Sequence, residues 1–251
     1  MVNAAKLEPE TVSAWEQYLR AADSRVKARR GGKKPFLWMD EDPVRAQRVR
    51  QGEVLVWRVG GDRPRAVRHR LIHDWIGAMF VPHAAVHDVL DVVWDYDRYQ
   101  DFYKPEVVHS KLLSRTNKES TLTVLWMKKV PFVTAVIETE CAAEYFPVDE
   151  NRWYSVVSST NVQEIQGFGE PGSRALPPGQ GGGYLWRLHL ISRFEERDGG
   201  VYMELETIAL SRDVPASLRW VVDPFVARMS RETVASFLRQ TREVAFRKTL
   251  G

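Results

Sequence analysis

Cysteine is almost absent from this chain of 251 residues: Cys141 stands alone, which excludes an intrachain disulfide and leaves the redox compartment unread. No apolar run approaches the roughly 20 residues that a helix needs to cross a bilayer, so a soluble globular protein is expected. Residues 1–6 contain no signal peptide or other targeting signal. The chain is expected to be cytoplasmic if Met1 is the native start, and exported if a signal peptide has been removed. A phosphate loop is excluded too. Gly179-Gln-Gly-Gly-Gly-Tyr184 precedes a strand rather than opening a helix, and no Gly-Lys-Ser/Thr occurs. No Ser-His-Asp or Cys-His arrangement can be assembled from the sequence, so no catalytic residue and no cofactor is assigned.

The net charge is +3, and basicity is local. The run Arg25-Val-Lys-Ala-Arg-Arg-Gly-Gly-Lys-Lys34 carries six basic residues and no acid, and without it 30 Lys and Arg would face 33 Asp and Glu. It reads as a solvated helix end passing into a Gly-Gly linker. Its functional alternative is a transient contact of residues 25–34 with an anionic membrane surface. Nucleic acid is not expected as a partner, because no aromatic platform is interleaved with the charges. Before the run, Val12, Trp15 and Leu19 share a helical face, and Glu53–Val59 reads as a short strand. Residues 1–65 are therefore expected to form a helical extension with a basic linker and a short strand, and 66–251 the main domain.

Within that domain the pattern reads as one strand, two short helices, six strands and one long helix. Leu71–Val81 is the first strand, ended by Pro82, which has no N–H to offer a sheet. Val86, Leu90, Val93 and Trp94 recur at helical spacing, and a second short helix spans Tyr96 to Tyr103. The six strands are expected at Val107–Arg115, Thr121–Val130, Val133–Phe146, Trp153–Ile165, Tyr184–Glu195 and Val201–Ser211. Asp198-Gly199 forms the two-residue turn of the last hairpin. From Pro215 a helical stretch follows, with Leu218, Val221, Val222, Phe225, Met229, Thr233 and Phe237 as its apolar stripe and Pro224 as a kink.

This element order resembles the START-like or SRPBCC superfamily, the Bet v 1-like helix-grip fold, over roughly residues 70–250. The local text agrees: Phe80-Val-Pro82 leads into Val89-Leu-Asp-Val-Val-Trp-Asp-Tyr-Asp97, and Val201-Tyr-Met-Glu-Leu-Glu206 into Val214-Pro-Ala-Ser-Leu-Arg-Trp220. The likeness is to bacterial-type members resembling polyketide cyclases and lipid-transport proteins. It implies an α+β fold in which a curved antiparallel sheet of about seven strands wraps around the C-terminal helix. It also implies an internal cavity for an apolar small molecule such as a lipid, isoprenoid or polyketide-like compound. A cyclase or aromatase acting in the same cavity is the catalytic alternative, and would need two or more ionisable side chains inside the cup.

Register assigns the faces. An Asp198-Gly199 turn sets Arg193 opposite Glu204 and Phe194 opposite Met203; a turn at Pro131-Phe132 sets Trp126 opposite Ile137. The charged face of the last hairpin is expected to meet water, and the other face, with Trp186, Leu188, Leu190, Phe194, Met203 and Leu205, to line the interior. The expected ligand contacts are Trp126, Ile137, Trp186, Leu190, Met203 and Leu205 from the sheet with Val222, Phe225 and Met229 from the helix. Gly181, Gly182, Gly183 and Pro224 are expected to form a gate. His83, His87 and Asp91 have a spacing compatible with a metal, but surface His pairs are common and no metal is assigned. His69 and His73 lie in or beside a strand, too far apart for one ion.

Overall fold

The computed structural model describes residues 8–68, 70–130, 133–212 and 219–249, with the backbone alone for 130, 133 and 219–225. In chain order its elements are helix α1 (Pro9–Arg30), a 3-10 turn (Trp38–Glu41), α2 (Pro43–Arg50), strands β1 (Leu55–Arg58), β2 (Arg65–Val67) and β3 (Arg70–Pro82), and helices α3 (Val86–Val93) and α4 (Tyr99–Phe102). Then come β4 (Val107–Arg115), β5 (Glu119–Val130), β6 (Val133–Pro147), β7 (Arg152–Gln166), β8 (Arg174–Ala175), β9 (Arg187–Arg197), β10 (Gly200–Arg212) and α5 (Arg219–Lys248). The seven long strands are those expected from the sequence. The three short ones, β1, β2 and β8, extend the sheet at its margins. The main path is antiparallel in the order β1-β3-β10-β9-β7-β6-β5-β4, with β2 paired to β3 and β8 to β7.

Both hairpin registers follow the sequence. Phe194 lies opposite Met203 and Arg193 opposite Glu204, while Trp126 lies opposite Ile137 and Leu122 opposite Cys141. Asp198 and Gly199 both take positive φ, 56° and 76°, as a two-residue turn matched to strand twist requires. The Pro131-Phe132 turn lies outside the described residues.

The concave face is closed at one end by α3 and α4. Val86, Val89, Leu90 and Val93 pack with Met79, Val81, Phe194 and Met203 in the largest core cluster. Helix α5 lies over β3 and β1 and against α3. Among its described side chains the buried positions are Val234, Ala235, Leu238, Thr241 and Ala245, a 3–4 spacing that replaces part of the expected stripe, because Thr233 points to solvent. Phe237 stacks on Tyr103 at a centroid distance of 4.2 Å, and the Tyr103 hydroxyl is hydrogen-bonded to Thr241 at 3.0 Å. Gly77 permits the close approach of α5 to β3: a Cβ there would stand 2.6 Å from Leu238 Cδ1.

The convex face departs from expectation. It is covered by residues 8–50 instead of facing water. Helix α1 continues through Arg30 and stops at Gly31, the helix end read from the sequence, but this end is not wholly solvated, because Arg25 and Arg29 turn inward to Glu206 and Glu41. Trp15, Ala22 and Val26 of α1 pack on Ile72, Tyr154, Ile191 and Ile208, while Phe36, Leu37, Met39 and Val49 pack on Ala78, Phe80 and Tyr202. Covering both faces of β3 explains why this strand is buried along nearly its whole length. β1 in turn pairs with β3, so the segment before residue 66 contributes both a layer and a strand to the same sheet.

Candidate functional site

Strand alternation determines what the concave face offers. At the closed end, Met203 lies opposite both Met79 and Phe194, and all three are fully buried. Two residues further along, Leu205 is also buried in the core. Beyond it the face opens. Thr207 lies opposite Trp75 and Leu190, Leu190 opposite Val157, and in the next row Ala209 lies opposite His73 and Leu188. Thr207, Ala209, Leu188, Leu190 and Val157 are only half-buried, although they point to the side that α5 occupies. Trp126 and Ile137, opposite each other on β5 and β6, are half-buried on the same face. The result is a half-buried apolar face running across β10, β9, β7, β6 and β5, beside α5.

Its polar groups are largely engaged with protein. Trp126 Nε1 donates to Thr139 Oγ1 at 3.0 Å, and Thr139 donates onward to the Val124 carbonyl at 3.3 Å, which holds the indole against the sheet. Ser159 Oγ accepts from the Leu188 amide at 2.9 Å. Burial pushes the Cys141 thiol up to about 11, so it carries little thiolate at neutral pH.

Of the expected contacts, Trp126, Ile137 and Leu190 thus share the open concave face, and Met229 is half-buried on α5. Met203 and Leu205 are core residues. Trp186 belongs to the convex cluster with Trp15, Tyr154 and Ile208, beneath the Arg70 guanidinium. The inward assignment of Trp186 failed because β9 begins at Arg187, and alternation cannot be carried past a strand's end. The side chains of Val222, Pro224 and Phe225 lie outside the described residues. Gly181, Gly182 and Gly183 sit on a loop fastened to β7: Glu164 accepts from the amides of Gly182, Gly183 and Tyr184 at 2.6, 2.7 and 3.1 Å. Of the three residues with metal-like spacing, the His87 ring meets Trp153 edge-on and Asp91 lies 3.8 Å from Lys248, so these two side chains turn to different partners.

Two features escaped the sequence reading. One is a buried polar network under α1: Glu206 accepts from Arg25 at 2.5 Å and from Arg193 at 2.9 Å, and Asp74 accepts from the Tyr18 hydroxyl at 2.8 Å and Arg25 at 3.2 Å. Burial and the neighbouring Glu206 charge push the Asp74 carboxyl up to about 7, against the pull of Tyr18 and Arg25. Glu204 accepts from the amides of Trp38 and Met39. The charged face expected to meet water is therefore covered, with Arg25 of α1 joining Arg193 of β9 at its carboxylates and the Trp38 and Met39 amides meeting Glu204. Beside Asp74 a recess of about 270 Å³ opens between Tyr18, Val59 and Arg65. The second feature is His73, hydrogen-bonded through Nε2 to Ser211 Oγ at 2.9 Å at the rim of the concave face. Burial, with the Arg58 charge, holds its imidazole down to about 4. His69 lies outside the described residues.

Among the described residues no helix is long and apolar enough to cross a membrane. Comparisons with protein-family models and with curated protein sequences find no match. Solved structures do match. A STAR-related lipid transfer protein fragment from Xanthomonas axonopodis is 15% identical, with a TM-score of 0.50 over 73% of this chain and 97% of its own. Human STARD10 is 9% identical, with a TM-score of 0.45 over 74% of this chain and 73% of its own. The Zhui aromatase/cyclase from Streptomyces is 13% identical, with a TM-score of 0.39 over 72% of this chain and 92% of its own. Element order, antiparallel topology, the C-terminal helix against the concave face and the Xanthomonas likeness agree, and this chain has the START-like, helix-grip α+β fold.

Proposed function

We propose that this protein binds and carries an apolar small molecule, of lipid, isoprenoid or polyketide-like character, in the cleft between α5 and the concave face, without transforming it. The observation that carries the reading is the half-open row of Leu188, Leu190, Val157, Ile137 and Trp126 on a face whose other end is packed to full burial. Apolar side chains left part-wet beside a covering helix are what an apolar ligand would shield. The half-open row carries apolar and hydroxyl groups, which suits retention better than acid–base chemistry. The protein sharing its fold in Xanthomonas is described as a lipid transfer protein, which fits the same class. The basic run is not required for this reading, since Arg25 and Arg29 are turned inward to Glu206 and Glu41.

Titration with a neutral apolar fluorophore such as Nile red tests it. Saturable binding is expected, and Leu190→Trp, which fills the cleft, should weaken it about tenfold while leaving the unfolding temperature nearly unchanged. Absence of saturable binding to the wild-type protein would overturn the reading.

A further inference from the structure

The rim of the cleft differs in chemistry from its interior. Beside α5, a recess of about 30 Å³ is lined by Arg58, His73, Ser211 and Arg212 together with the apolar Leu71 and Ala227. Among the described residues no acidic side chain lines it. The volume suits one or two oxygen-sized groups rather than a whole ligand. His73 is only 5% exposed, and its Nδ1 has no hydrogen-bond partner although Nε2 is held by Ser211. A buried imidazole nitrogen left unpaired is costly, and a ligand atom in the recess would relieve that cost. Arg58 is held over the Trp75 ring, 4.4 Å from its centroid, and Arg212 is exposed at the end of β10.

His73 and the cleft interior are directly connected. Ala209 lies opposite both His73 and Leu188, so the apolar row begins one strand away from the imidazole. A cationic, hydrogen-bonding pocket at the end of an apolar groove matches a molecule with an anionic head and an apolar tail.

We propose that the ligand of the cleft is an anionic amphiphile, an alkyl-chain carboxylate or phosphate monoester, whose head group docks at His73, Ser211, Arg58 and Arg212 while its tail lies along Leu188 and Leu190. The inference rests on the cleft reading above and adds the head-group class and its position. The exposed Arg212 guanidinium supplies the charge complement, with Arg58 lining the same recess. The Ser211–His73 pair supplies a directional contact: Ser211 Oγ donates to the Arg212 carbonyl and accepts from Nε2, so that in the imidazolium Nδ1, which faces no protein group, donates to an anionic oxygen. Arg58 already disfavours the imidazolium, and an anion in the recess would offset that field and raise the imidazole's midpoint.

Displacement of Nile red by hexadecanoate, hexadecyl phosphate and hexadecanol tests the proposal. Each anion is expected to bind roughly tenfold or more tighter than the alcohol, as charge-assisted hydrogen bonds imply. Which anion is the stronger tells a carboxylate from a phosphate head. Arg212→Gln and Arg58→Gln should each reduce the anion-to-alcohol ratio several-fold while hexadecanol itself competes as before, an outcome that a merely loosened fold would not produce. Arg58→Lys should retain part of the ratio. In parallel, the His73 imidazole followed by NMR should titrate at least about one pH unit higher with hexadecanoate bound. Equal displacement by anion and alcohol would overturn the head-group assignment while leaving the cleft in place. A ratio that survives both Arg→Gln changes, or a His73 midpoint unmoved by the acid, would remove the head group from this recess. Failure of Nile red itself to bind would remove the cleft and the proposal together.

Discussion

The Arg193 guanidinium lies 2.9 Å from the Glu206 carboxylate beneath helix α1, with the two side chains only 2% and 3% exposed. Glu206 also takes Arg25 from the helix at 2.5 Å. The N-terminal helix and the sheet are thereby joined by charge as well as by the apolar contacts of Trp15 and Val26. Buried ion pairs of this kind offset their own desolvation only when every member is present.

Removing one member should therefore be costly. Arg193→Met leaves Glu206 with Arg25 alone and is expected to destabilise the protein by about 3–5 kcal/mol. Adding Glu206→Leu in the same chain should recover much of that loss. Urea unfolding of the single and double variants measures both, and a double variant less stable than Arg193→Met would contradict the account.

The Asp74 carboxyl provides a pH signature. Its folded value, about 7, lies above its ordinary 3.8, so the folded state holds a proton that the unfolded state has released. Its stabilising contribution is full below about pH 4 and is lost as the pH rises through 7, with a slope of at most about 1.4 kcal/mol per pH unit. His73 acts oppositely: held down to about 4, it contributes stability above its ordinary 6.5 that is lost as the pH falls toward 4. Asp74→Asn should abolish the first slope and leave the second. Unfolding free energies measured from pH 4 to 8 decide the matter, and an unchanged slope in the variant would refute the assignment.

Gly77 marks a close approach of α5 to the sheet. A methyl group there would meet Leu238 Cδ1 at 2.6 Å and the Leu55 carbonyl at 3.1 Å. Gly77→Ala is expected to cost about 1–3 kcal/mol by overpacking. Leu238→Ala should cost less in that background than in the wild type, because it removes the clashing group. Thermal unfolding of the four proteins in the cycle gives the coupling, and strict additivity would argue against the contact.

Glu164 holds the loop that precedes β9 through three amide hydrogen bonds. Glu164→Gln weakens these charge-assisted bonds without changing the shape of the side chain. Cleavage between residues 167 and 183 under limited proteolysis should become several-fold faster, while global unfolding moves little. Equal cleavage rates would show that the loop is restrained by something else.

These elements separate what is local from what is not. The β9–β10 and β5–β6 registers were legible because the side-chain period of a strand is two and a two-residue turn, Asp198-Gly199 in the first and Pro131-Phe132 in the second, sets its phase. Trp126, Ile137 and Leu190 were correctly grouped on one face for that reason. Trp186 was not, because it stands one residue before β9, where the period no longer holds.

By itself the sequence determined the succession of strands along the chain, the two hairpin registers, the two short helices and the long final helix, all of which depend on turn chemistry and periodicity within a few tens of residues. Tertiary structure alone decided which sheet face is wet. Alternation tells which residues share a face but not what covers it, and the cover over Arg193, Glu204 and Glu206 comes from residues more than 150 positions earlier in the chain. It also decided the approach of His73 to Ser211 across β3 and β10, 138 residues apart, where burial rather than spacing gives the imidazole its character.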